Sequence, residues 1–210
     1  LGVYNMERRD LLKLIAAATG VAVVGGEFLL SGCNNENAGT AATFSDADIA
    51  LLDEVGEVII PATATPGAKA AEVGKFMQIM TNDCMTEKQQ KSFIAGISQL
   101  KEACKKMHSK DFMECSADEK KSFILSLEKE AKDFNTKNDE TNKTASEKAK
   151  AAGQTYEDEP PHYYSIIKQL TLFGYFTSKP GASQQLRNRP VPGKYDGAFP
   201  YKKGEHAFNE

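Results

Sequence analysis

The sequence predicts an all-α fold: a small domain of about five helices with an irregular, Pro/Gly-rich C-terminal arm. Three observations carry this prediction. Apolar residues recur at helical spacing in four separate stretches. Two of those stretches open on a capping box, Thr86 with Gln89 and Ser116 with Glu119. Neither the core stretches nor the tail shows the strict alternation of a half-buried strand.

In chain order, Ser45 caps the first helix, with Asp46 and Asp48 at its positive end. Ile49, Leu52, Val55 and Ile59 form its stripe, and Pro61 ends it. Asp46, Asp53 and Glu57 read as a solvated face. After the turn "ATATPGAKA", the stretch "AEVGKFMQIMTNDC" reads as a second helix. The third carries Phe93, Ile94, Ile97, Leu100, Cys104 and Met107 on one stripe, and His108 closes it. The fourth carries Phe123, Ile124, Leu127, Ala131 and Phe134. Residues 135–155 hold no apolar side chain larger than alanine, so they form either a solvated loop or a polar extension of the helix. Pro160 and Pro161 then open the last helix, which should bury Ile166, Ile167, Leu170 and Phe173. From about Lys179 the texture changes, with four of the eight prolines in the tail. The region from Tyr156 onward also carries 10 of the 18 Phe and Tyr residues, which must pack either on the chain's own helices or on a partner.

Ahead of the domain, the segment 1–32 reads as a signal peptide. Arg8 and Arg9 stand before an apolar run, and "RRDLLK" has the look of a twin-arginine signal. A general secretory signal is the alternative. The run contains Lys13 and Glu27, and a carboxylate there is costly in a bilayer, which argues for cleavage over a permanent span. Leu30-Ser31-Gly32-Cys33 resembles a lipobox, which makes Cys33 the expected lipidation site. Residues 33–43 read as a flexible tether and 44–210 as the folded domain. The expectation is an exported lipoprotein, held to a membrane through Cys33 and facing the periplasm.

Net charge is −3 and no basic face is concentrated, so nucleic acid is not expected as a partner. Beyond Cys33 there remain Cys84, Cys104 and Cys115, enough for one internal disulfide at most, with free thiols as the plain alternative. No phosphate-binding glycine loop, nucleophile elbow or metal-type histidine spacing occurs, so no catalytic residue, metal or cofactor is assigned to this chain. His162 is the one histidine kept as a candidate for a functional contact.

Three stretches, "LLDEVGEVIIPATATPGAKAAEVGKFMQIMTNDC", "HYYSIIKQLTLFGYFTS" and "RPVPGKYDGAFPY", together resemble the gluconate 2-dehydrogenase subunit 3 family. The resemblance implies a non-catalytic small subunit of a membrane-bound sugar or sugar-acid dehydrogenase. Its partner would be a flavoprotein of the glucose-methanol-choline type that holds FAD, with a cytochrome c subunit bearing haem as a third member. On that reading the export signal serves the complex, and the folded flavoprotein travels with this chain. Tyr175, Phe176 and Tyr195 fall in the matching motifs and are the candidates for partner contact, with internal packing as the alternative. Many relatives carry a cysteine where this chain has Ala198, so no role of that thiol transfers. Two rival readings stay open: a free-standing envelope lipoprotein that binds a sugar or protein, and a cofactor-free enzyme built on His162.

Overall fold

In the computed structural model, five α-helices account for nearly all regular structure among the described residues, which are 44–189, 191, 193, 194, 196–200 and 202–209. All of these belong to the compact unit Ala42–Glu210. Arg8, Arg9, Cys33, the 33–43 tether and Tyr195 lie outside the described residues.

Helix α1 spans Asp46–Ile59, α2 Val73–Cys84, α3 Glu87–His108, α4 Ala117–Ala151 and α5 Tyr163–Thr177. The capping boxes at Thr86 and Ser116 form as the sequence predicts, and Ser45 pairs with Asp48 in a third. In each, a hydroxyl and a carboxylate or amide satisfy backbone N–H groups that the first helical turn leaves open. A 3₁₀ turn at Lys69–Ala71 leads into α2, and another at Phe112–Glu114 joins α3 to α4.

Helix α5 is the hub, packing against each of the other four helices. Its Tyr164, Ile167 and Tyr175 join Leu52, Val55, Met77, Phe93, Leu100, Phe123 and Leu127 in one core of almost fully buried side chains. Burying each of these contributes roughly 1.5–3 kcal/mol. Cys104 lies in that core, as its stripe position predicts.

Several expectations need correction. Met107 is half exposed in the last turn of α3, beyond the last buried residue of that helix, Cys104. Phe134 is also exposed on one side, its ring resting edge-on against His162. Phe173 is half exposed as well, and its ring meets that of Phe76 edge-on. Pro160 and Pro161 precede the α5 cap instead of occupying its first turn: His162 is the N-cap and its Nδ1 accepts from Tyr164 N. The polar stretch after Phe134 is helix, a direct continuation of α4 to Ala151.

The arm beyond α5 holds more order than its composition implies. A π turn at Gly181–Gln185 leads to β1 (Arg187–Asn188), which pairs in parallel with β2 (Phe208–Asn209). The Arg187 guanidinium meets Glu205 at 2.9 Å and lies over the Phe208 ring, which also meets Phe199 edge-on. The arm therefore covers part of its own aromatic surface. Among the described residues, no helix is long and apolar enough to cross a membrane.

Candidate functional site

The stretch between α1 and α2, residues 60–72, is built around one carboxylate. Glu57, in the last turn of α1, accepts from Ala62 N at 2.7 Å and Lys69 N at 2.9 Å. Its two oxygens close the loop, helped by Ala68 N donating to Ile60 O. Gly67 has to be glycine because a Cβ there would fall 2.3 Å from Glu57 Oε1. One turn earlier, Asp53 Oδ1 accepts from Gly74 N at 2.7 Å and so fastens the start of α2. Burial raises the Asp53 pKa, against the pull of that Gly74 N–H. Asp53 and Glu57 are thus backbone clamps, a correction to the solvated-face reading; Asp46 remains exposed.

Tyr175 reaches the same loop from the other side. Its hydroxyl donates to Pro66 O at 2.7 Å, and the residue is only 1% exposed. This corrects its candidacy for partner contact: the ring is spent on internal packing and on holding the loop. Thr65 Oγ1 adds a bond to Gln185 Oε1 at 2.6 Å, tying the loop to the π turn.

His162 is likewise turned inward, at 8% exposure. Its ring lies between Phe134 and Tyr163, with Nε2 3.9 Å from the Glu130 carboxylate. Burial lowers its pKa, and Glu130 offsets part of that. As the cap of α5 it shapes the backbone, and it stands about 20 Å from Phe176 at the other end of the same helix. The structure therefore separates the two candidates.

Phe176 is the candidate left facing outward, and it has company. On α5, Leu172, Phe173 and Phe176 occupy one arc and are 40%, 50% and 37% exposed. On α2, Phe76 and Ile79 are one turn apart; Ile79 is 49% exposed, and the Phe76 ring meets Phe173 edge-on with centroids 5.6 Å apart. The helices approach this closely because Gly174 has no side chain. A Cβ there would lie 2.6 Å from the Phe76 ring. The result is an apolar strip across two adjoining helices, whereas the exposed Phe134 ring rests on His162 at the opposite end of α5. Contiguous apolar surface of this kind marks interaction sites, whereas single exposed residues need no explanation.

Sequence reasoning found Phe176 but missed Ile79, Phe76 and Leu172, and it placed Phe173 in the core. The signal lay in apolar residues that overfill a helical stripe: α5 has more of them than one buried face can take. Beside the strip, α4 and α5 flank a groove of about 500 Å³ lined by Asn135, Tyr164, Ser165, Gln169 and Leu172, with the Lys168–Glu128 ion pair at its side. Among the described residues, no group of three or more His, Cys, Asp or Glu side chains converges as metal ligands would.

Comparison with known proteins gives one finding. No curated protein and no solved structure matches the chain. The family model described as Gluconate 2-dehydrogenase subunit 3 matches residues 46–193, which takes in all five helices, the Glu57-clamped loop and the apolar strip. The chain belongs to the gluconate 2-dehydrogenase subunit 3 family, whose members are subunits of dehydrogenases.

Proposed function

We propose that this chain is the non-catalytic small subunit that supports assembly, export and membrane anchoring of an FAD-dependent dehydrogenase. The catalytic subunit would be a flavoprotein of the glucose-methanol-choline type acting on a sugar or sugar acid, with a cytochrome c subunit carrying haem as a third component. The observation that carries this reading is the exposed strip of Ile79, Leu172, Phe173 and Phe176 on a chain of this family. Large apolar and aromatic side chains gathered on rigid helices supply the centre of a protein interface. The large subunit is the occupant we assign to it. Arg8 and Arg9 would direct export of the assembled pair, and a lipid on Cys33 would hold it at the membrane facing the periplasm. Tyr195 remains a candidate for contact with the same partner.

The test is recovery of the tagged protein from its native membranes in mild detergent, followed by a visible spectrum. Flavin absorbance with a co-eluting large subunit is the expected result, and a Soret band would add the cytochrome. A colourless, solitary protein would count against a lasting complex. Phe173→Asp together with Ile79→Asp should cut flavoprotein recovery at least tenfold, on the scale of interface hot spots. Phe134→Asp, at a similarly exposed position that rests on His162 at the opposite end of α5, should leave recovery unchanged.

A further inference from the structure

Two thiols meet where the chain turns between α3 and α4. Helix α3 ends at His108, and Ser109 follows in the left-handed region at φ 57°. The Phe112–Glu114 turn then delivers Cys115 next to the α4 cap, Ser116. This return places Cys115 Sγ 3.7 Å from Cys104 Sγ, with Cys104 fully buried and Cys115 nearly so. The third described cysteine, Cys84, is exposed at the end of α2.

We propose that Cys104 and Cys115 are a site of covalent oxidation, closing to an intrachain disulfide that fastens the end of α3 to the start of α4. A disulfide needs the sulfurs at about 2.05 Å, so the closure requires less than about 2 Å of approach. Cys104 lies inside α3, one turn from its end, but Cys115 follows the Phe112–Glu114 turn ahead of α4, and that linker absorbs such a movement more readily than packed helices do. The oxidant is a disulfide, either that of glutathione or that of an oxidoreductase. In the first step the Cys115 sulfur, as thiolate, attacks one sulfur of the oxidant; a mixed disulfide forms and one thiolate leaves. In the second, the Cys104 sulfur gives up its proton and attacks Cys115 Sγ, forming the intrachain bond and expelling the other thiolate. Two electrons and two protons pass from the pair to the oxidant. Cys115 is the entry point because it is the less buried of the two. Burial pushes the Cys104 thiol up to about 12, so it reacts only in the second, intramolecular step.

The experiment equilibrates the folded full-length chain in glutathione buffers of graded oxidised-to-reduced ratio. After an acid quench and alkylation, the protein is digested with trypsin without reduction. The expected product is Glu102–Lys105 joined to Asp111–Lys120, two hydrogens lighter than the sum of the separate peptides. Exposed Cys84 reports that the oxidant acted. If Cys84 carries glutathione on most molecules while Cys104 and Cys115 are both still alkylated, the proposal is overturned. A cross-link from Cys115 to any other cysteine would overturn it too. The oxidised chain should also melt roughly 5–10 °C higher than the reduced one, as expected for closing a loop of this length. Cys115→Ser should abolish that difference, and an unchanged melting point in the linked natural chain would refute the fastening role. Should the variant not fold, the peptide map of the natural chain decides.

Discussion

Helix α4 is held in two different ways along its 35 residues. Its first half, through Ala131, buries Phe123, Ile124 and Leu127 in the core. Its second half buries no large apolar side chain, yet it stays helical beside the chain that returns along it. Three asparagines do the holding. Asn142 accepts from Glu159 N at 2.9 Å and from the Tyr156 hydroxyl, and donates to Glu159 O at 3.0 Å. Asn138 donates to Glu159 O and Pro160 O. Asn135 accepts from His162 N and donates to Ser165 Oγ. A primary amide carries donors and an acceptor on one short stem, so it can answer both backbone groups of an extended segment. Where Pro160 and Pro161 have no N–H to give, Asn138 uses its amide NH₂ alone. The contrast teaches that a helix face can be organised without apolar burial, but by bonds that each exchange against water and therefore hold weakly.

The largest effect expected from breaking this contrast is in the apolar half. Leu127→Ala should lower the unfolding free energy by about 2–5 kcal/mol, measured by urea denaturation, because it opens a cavity in a close-packed core. Asn142→Ala, in the polar half, should cost only about 1 kcal/mol globally. Its sharper sign would be local: amide hydrogen exchange at residues 154–159 should quicken while exchange in α3 stays as it was. Equal losses from the two substitutions would erase the distinction.

The seam between the halves gives the smallest and most specific test. His162 joins them, its backbone bound to Asn135 and its ring packed on Phe134. Its folded pKa lies below the ordinary 6.5, chiefly because burial disfavours the charged ring. Below that pH the unfolded chain takes up a proton that the folded chain refuses. Stability should therefore be highest above pH 6.5 and should fall as the pH drops toward the folded pKa. His162→Gln should flatten this part of the profile, and an unchanged profile would show that the seam titrates elsewhere.

The apolar half was legible in the sequence because periodicity reports burial directly: the caps at Thr86 and Ser116 stand as read, and so do the stripes of α3 and α4 up to their last members, Met107 and Phe134, which are exposed. The polar half was legible only as one of two options. Asn135, Asn138 and Asn142 follow helical spacing, but asparagine is so common on surfaces and in loops that spacing alone does not single it out. Asp53 and Glu57 escaped for a related reason, since a carboxylate bound to backbone amides looks like a solvated one until the loop it clamps is placed. Tyr175 and Phe176 are neighbours of similar chemistry in one motif. Only the direction of helix α5 decides that the first is buried and the second exposed.

Gly174 has a consequence for how lost partner binding would be read genetically. It is buried, yet it sets the separation of the two helices that carry the strip, through its contact with the Phe76 ring. A bulkier residue there would push α2 from α5 and scatter Ile79 and Phe173 while leaving every exposed side chain chemically intact. If the strip seats the proposed large subunit, a screen for mutants that no longer recruit it should return this buried glycine alongside the exposed phenylalanines, and such an allele should be rescued by a smaller residue in place of Phe76 on the facing helix.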